Sequence, residues 1–227
     1  MIKKLKAKVL EKKNIAGSYW TFRLGFEENY EFLPGQYLGV KVNESGLQRL
    51  YSIASMPAGK ELDLVVDVAP MGIGSKYFLA LKENQEIETM GPLGKFAVQN
   101  TNKKILLLAT GSGIAPMRAM IKNLLEVKGF KGEMRLLWGM RYERDLFWID
   151  EFEELAKNFS NFQFDLVLSK PDKGWVGKIG HIGDHLGNLG NQWQVFLCGS
   201  KTMVIENIEK AQGKGILAED IYFEKFD

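Results

Sequence analysis

The stretch Ile105-Leu106-Leu107-Leu108-Ala109-Thr110-Gly111-Ser112-Gly113-Ile114-Ala115-Pro116 decides how the second half of this 227-residue chain is read. No apolar run in the chain is longer than its five leading residues. That is the length of a strand covered on both faces, and far short of the roughly 20 residues that span a bilayer. Two glycines flanking a serine then allow a tight turn. Pro116 suits the first turn of a helix, because the N–H it lacks is one that a helix leaves unpaired there. Strand, glycine turn and helix in that order open a parallel α/β sheet.

Working outward, the pattern repeats downstream. Strands are expected at Met134 to Trp138, Phe162 to Leu168, Val195 to Cys198 and Ile221 to Phe223, which with Ile105 to Ala109 predicts a five-stranded parallel sheet. Met117, Met120, Ile121, Leu124 and Leu125 mark the first intervening helix, stopped by Gly129. Leu146, Ile149, Phe152, Leu155 and Ala156 mark the next, with Asp145 as its expected N-cap. A last helix is expected from Lys201 to Gln212.

Upstream the texture is different. Period-two alternation predicts strands at Lys6 to Glu11, Ser18 to Leu24, Gln36 to Val42, Arg49 to Ser55, Glu61 to Val68 and around Phe96. A single helix, Ser75 to Lys82, interrupts them, and many strands with one helix suggest a small antiparallel barrel. The polar stretch Gln99-Asn100-Thr101-Asn102-Lys103 separates the two textures, so the boundary is placed between a first domain of residues 1–100 and a second of 101–227.

Composition narrows the functional classes. Thirty Lys plus Arg against twenty-eight Asp plus Glu leave a formal charge of +2, without the long-range field that nucleic-acid binders use. The single cysteine forbids an intrachain disulfide, a four-cysteine iron–sulfur cluster and a cysteine-rich zinc site within this sequence. The opening MIKKLKAKVLEKK has no continuous apolar core and reads as a strand with one wet face. A soluble, cytoplasmic monomer is expected, with no membrane insertion and no nucleic-acid partner.

Ligands of open parallel sheets bind beyond the carboxyl ends of the strands. Here those ends read Thr110-Gly111-Ser112-Gly113, Trp138-Gly139-Met140-Arg141, Leu168-Ser169-Lys170, Cys198-Gly199-Ser200 and Phe223-Glu224-Lys225-Phe226. Small residues at the turns let a backbone approach a pyrophosphate, and hydroxyl or basic side chains beside them suit its charge. In the first domain, alternation throws Arg49, Tyr51 and Ile53 to one face and Leu50 and Ser52 to the other. A cation, an aromatic ring and a hydroxyl on one strand suit a planar, phosphate-bearing ligand, and Gly72-Ile73-Gly74-Ser75 opens a helix whose N-terminus can hold an anion.

Other chemistries lack their residues. No GxxxxGK[ST] phosphate loop and no GxSxG elbow occurs. His181 and His185 lack a third ligand nearby and are expected on a short surface helix. Trp20, Trp138, Trp148, Trp175 and Trp193 are scattered and read as core or edge packing.

Taken together, PGQY at 34–37, RLYSIAS at 49–55, GIGS at 72–75, GPLGKF at 91–96, TGSGIAP at 110–116, LCGS at 197–200 and a terminal Glu-x-aromatic resemble the ferredoxin–NADP reductase superfamily. The resemblance implies a six-stranded antiparallel barrel for FAD, then a five-stranded parallel domain for NADPH or NADH, with the flavin in the cleft between them. It implies that Tyr51 stacks on the isoalloxazine, that Ser52 bonds near flavin N5 and that Arg49 binds the FAD phosphates. Gly72, Gly74 and Ser75 would hold the pyrophosphate, and Ile53 and Val66 join the flavin-binding set. Thr110, Gly111 and Gly113 would receive the nicotinamide nucleotide, with Arg141, Ser169, Lys170, Gly199 and Met203 completing the cofactor contacts. Cys198 would lie beside the nicotinamide C4. Ser52, Cys198 and Glu224 are the implied catalytic residues, and Phe226 would cover the flavin. The sequence ends one residue later, at Asp227.

The activity so implied is hydride transfer from NAD(P)H to FAD, then single electrons to ferredoxin or flavodoxin. Free flavin, an oxygenase, or service as a noncatalytic flavoprotein subunit are the alternatives. Lys170 suits a 2′-phosphate, whereas Pro171, Asp172 and Trp175 resemble NADH-using relatives, so both coenzymes stay open. Lys3, Lys4, Lys6, Lys8, Lys12 and Lys13 form a basic strand face, read as solvated or as a docking edge for an acidic carrier.

Overall fold

In the computed structural model, which describes residues 3–99 and 102–226, the chain forms two units. One comprises Met1–Val98 with Ala115–Val127, the other Gln99–Ile114 with Lys128–Asp227. The boundary expected at residue 100 falls on Asn100 and Thr101, which lie outside the described residues, as does Asp227.

The first unit is an antiparallel sheet of six strands: β1 (Lys3–Ala16), β2 (Tyr19–Gly25), β3 (Tyr37–Lys41), β4 (Gln48–Ser52), β5 (Glu61–Asp67) and β6 (Glu86–Leu93), in the order β4-β3-β6-β1-β2-β5. Its two edges meet. Ile53, just past β4, bridges Leu64 of β5, and Ala54 N–H donates to the Asp63 carbonyl at 2.8 Å, so the sheet closes into a barrel and leaves few open edge groups. Alternating inward residues such as Val9, Phe22, Leu24, Leu38, Val40 and Leu64 fill it. Helix α1 (Ile73–Ala80) contributes Phe78 to that core, where its ring lies edge-on to Phe22 and to Tyr51, with centroids 4.7 Å away in each case. Helix α2 (Ile114–Lys122) is counted mainly with this unit, and its Arg118 donates to the Ala54 carbonyl at 2.9 Å.

The sixth barrel strand is not the one expected. Glu86-Ile87-Glu88-Thr89 carries the period-two pattern, with Ile87 and Thr89 buried between exposed glutamates, and Phe96 is buried outside any strand. Gly91 and Pro92 within β6 mask that alternation in the sequence, because both residue types normally interrupt strands.

The second unit is a parallel sheet of β7 (Lys104–Thr110), β8 (Met134–Met140), β9 (Phe162–Leu168), β10 (Lys178–Ile179), β11 (Trp193–Ser200) and β12 (Ile221–Phe226), ordered β10-β9-β8-β7-β11-β12. It has six strands where five were expected. The addition, β10, is two residues long, too short to carry any periodicity. Ile105 to Ala109 are fully buried, which is what an apolar run in a strand covered on both faces requires. Leu106, Leu108, Leu137, Val195 and Leu197 pack with Met203, Val204 and Ala211 of helix α4 (Lys201–Gly213).

Helix α3 (Ile149–Asn158) starts later than expected. Asp145 sits in a 3-10 turn, Glu143–Asp145, and Trp148, left-handed at φ 56°, occupies the N-cap position. Phe147 intervenes, buried against Trp138 with ring centroids 5.0 Å apart, and that contact delays the helix. His181 and His185 cap the two ends of a short 3-10 helix, Ile182–Asp184, and the His185 ring Nε2 lies 2.9 Å from the Ile179 carbonyl. Among the described residues no helix is long and apolar enough to cross a membrane.

Phe78 is the ring on which α1, the barrel and Tyr51 converge. F78A is expected to cost about 3–5 kcal/mol, seen as a lower denaturant midpoint, because a fully buried ring leaves a cavity that the closed sheet cannot collapse to fill.

Candidate functional site

In the second unit, the chain leaves β7 toward β8, β9 and β10 on one side and later returns to β11 and β12 on the other. β7 and β11 are therefore neighbours at the point where the winding reverses, which is where open α/β sheets hold ligands. The residues there are Thr110, Gly111, Ser112 and Gly113 from β7 and the turn after it, and Cys198, Gly199 and Ser200 from the end of β11.

These two segments touch through missing side chains. A Cβ on Gly113 would collide with the Cys198 carbonyl, so only glycine lets the turn lie against β11. Gly199, at φ +155°, faces the Thr110 hydroxyl and the end of the Met203 side chain, and a Cβ there would strike both. On β8, Gly139 pairs with Thr110, where a Cβ would stand 3.0 Å from the Thr110 methyl. Ser200 caps α4 by accepting from Met203 N–H at 3.4 Å.

Cys198 pairs with Glu224 across β11 and β12, and Ser200 pairs with Phe226. Cys198 is fully buried, and burial, then the nearby Glu224 carboxylate, push its thiol well above the ordinary cysteine range. A thiol so placed stays protonated and packs as a small neutral group. Burial also pushes Glu224 up to about 7, so near neutral pH this carboxyl both holds and releases a proton.

A basic cluster lies at the ends of β8 and β9. Ser169 N–H donates to the Met140 carbonyl and Lys170 N–H to the Arg141 carbonyl, each at 3.0 Å, which brings Arg141, Ser169 and Lys170 together. The Arg141 and Arg144 guanidinium groups lie 5.2 and 4.1 Å from the Tyr142 ring centre. Among the described residues no carboxylate pairs with Arg141 or Lys170, which suits an additional phosphate.

In the first unit, Arg49 and Tyr51 do share a face. Both reach the start of α1, where a Cβ on Gly74 would collide with the Tyr51 hydroxyl and stand 3.4 Å from Arg49 Cγ. The α1 N-cap, Gly72, offers no capping side chain, so the first-turn amides remain available to an anion beside Arg49. Arg49 is exposed and donates to the Gln48 carbonyl of its own strand at 3.1 Å, with no carboxylate partner among the described residues. Burial pushes the Tyr51 phenol up to about 12 against the opposing pull of Arg49, so it stays neutral. Ser52 and Ser75 are buried polar residues, whereas Ile53 and Val66 have their side chains in the barrel core. An exposed cation, a neutral ring and first-turn helix amides without a capping side chain fit the pyrophosphate and flat ring of a flavin dinucleotide.

Two participants escaped the sequence reading. Gly139 lay in a quoted strand end without being assigned a role. Trp138 reads as core by its apolarity, yet its indole N–H donates to the Gly111 carbonyl at 3.1 Å.

Comparison with known proteins agrees with this geometry. A family model described as an oxidoreductase FAD-binding domain matches residues 6–98, and one described as an oxidoreductase NAD-binding domain matches residues 107–207. The chain is 30% identical over 199 residues to the toluate 1,2-dioxygenase electron transfer component of Pseudomonas putida, covering 86% of this chain and 59% of that protein. It is also 30% identical over 210 residues to ferredoxin–NADP reductase B of Sorangium cellulosum, covering 86% of each. The structure superposes on the Amycolatopsis cytochrome P450 reductase GcoB with a TM-score of 0.93 at 29% identity, over 99% of this chain and 70% of that one.

Two outcomes are expected. G113A should cost about 1–3 kcal/mol in chemical denaturation, because the clash is with main chain that cannot swing aside. Glu224 binds its proton more tightly folded than unfolded. Its contribution to stability is therefore complete below its ordinary value of 4.5 and is lost as pH rises toward about 7; melting temperatures measured across that window should fall in the wild type and fall less in E224Q.

Proposed function

The chain belongs to the ferredoxin–NADP reductase superfamily of FAD- and NAD-binding oxidoreductases, and on that premise we propose that it oxidises NAD(P)H and passes electrons singly to a ferredoxin or flavodoxin. FAD, when bound, supplies the chemistry, accepting two electrons as a hydride and releasing them one at a time. The observation that carries the reading is a pair of helix starts, each opened by a glycine that admits a close contact: Gly74 beside Arg49 and Tyr51, and Gly113 against Cys198.

We assign FAD to residues 1–100 and the nicotinamide dinucleotide to residues 101–227. Arg49 and the α1 amides neutralise the flavin pyrophosphate, helped by Gly72, Gly74 and Ser75, and the neutral Tyr51 ring offers a flat apolar face. Ile53 and Val66 contribute main-chain contact. Thr110, Gly111, Gly113, Gly199 and Met203 shape the dinucleotide crevice, while Arg141, Ser169 and Lys170 meet its adenosine end. Cys198 stays neutral and excludes water from the crevice floor. Ser52 orients by hydrogen bonding, Glu224 holds or relays a proton near neutral pH, and Phe226 covers the flavin.

The similarity to a dioxygenase electron transfer component supports an oxygenase as a second acceptor class. Anaerobic addition of NADH and NADPH separately should bleach the purified yellow protein, with electrons then moving to ferredoxin or flavodoxin. Activity with free flavin mononucleotide and none with either carrier would overturn the proposed acceptor. R49A should retain FAD roughly 10- to 100-fold more weakly, the worth of a lost charge-assisted phosphate contact, measured by cofactor release on dilution. K170A combined with R141A should raise the KM for NADPH more than that for NADH in steady-state assays.

A further inference from the structure

We propose that Trp138 is a positioning residue for the dinucleotide turn, holding the Gly111 carbonyl inward so that the following amide faces the ligand. The inference rests on the functional reading above, in which the turn Gly111–Gly113 receives the nicotinamide dinucleotide.

Trp138 is fully buried on β8, opposite Ala109 of β7 and so immediately beside the strand from which the turn emerges. Its indole N–H donates to the Gly111 carbonyl at 3.1 Å, and the same oxygen accepts from Ile114 N–H, the first residue of α2. The ring itself is held from two sides, by Phe147 at 5.0 Å and 73° and by Phe152 at 6.1 Å and 65° between centroids and planes. The donor is therefore fixed before any ligand arrives.

A trans peptide is planar, with its C=O and N–H directed oppositely. Drawing the Gly111 oxygen toward the buried indole therefore turns Ser112 N–H away from it, and both Gly111 and Ser112 are only half-buried. On the other side Gly113 is flush with the Cys198 main chain. The turn is clamped between an indole and a strand, so its amides are aimed without ordering cost when a phosphate binds.

The test replaces Trp138 site-specifically with 3-benzothienylalanine, which keeps the ring's size and substitutes sulfur for the N–H, alongside W138F. The isostere preserves the aromatic packing, so it reports on the hydrogen bond even where W138F fails to fold. Expected for the isostere are a five- to tenfold weaker equilibrium affinity for NADP+ or NAD+ by calorimetry, faster amide exchange at Ser112 and Gly113, and a coenzyme KM raised by the same factor with kcat moved less than twofold. Unchanged affinity and exchange in the isostere would overturn the proposal alone. Failure of the unaltered chain to bind either nucleotide would overturn the functional reading and this inference with it.

Discussion

The Gly113 Cα lies so close to the Cys198 carbonyl that nothing larger than hydrogen fits between them, and the second unit is arranged around that contact. It joins the turn after β7 to the end of β11 at the place where the sheet reverses its winding. Thr110, Gly199 and Met203 converge because those two segments are in register, Cys198 opposite Ala109. A side chain at residue 113 would open a gap and displace everything the crevice aligns.

The first unit solves a similar problem with a helix and a closed barrel. Phe78 anchors α1 to the core, and the absence of a side chain at Gly74 lets Tyr51 and Arg49 lie over the helix start. Both units thus place a glycine where a neighbouring segment comes close to the start of a helix, a geometry that suits a phosphate. They differ in polarity. Arg49 brings a cation to the first, whereas Cys198 and Glu224 are drawn toward their neutral forms by burial in the second.

Much of the fold was legible because strong local patterns coincided with global demands. The apolar run at 105–109 had to be a doubly covered strand, and the alternation at Arg49-x-Tyr51 placed cation and ring on one face. Legibility failed where one principle outweighed another. Gly91 and Pro92 hid the alternation of β6, and the need to bury Phe147 against Trp138 moved the start of α3 past Asp145. Two-residue β10 carries no pattern at all; its pairing with Val167 and Leu168 is a matter of where the chain passes.

By itself the sequence determined the family, the two textures of the chain and the residue types available to each cofactor, since periodicity and glycine spacing are local properties. Only the tertiary structure decided which residues work together. Trp138 is indistinguishable from any core tryptophan until its neighbour across the sheet is known, and its one polar atom finds the Gly111 carbonyl because parallel pairing places β8 beside β7. The titration of Glu224 likewise depends on what buries it, which follows from packing and not from residue type.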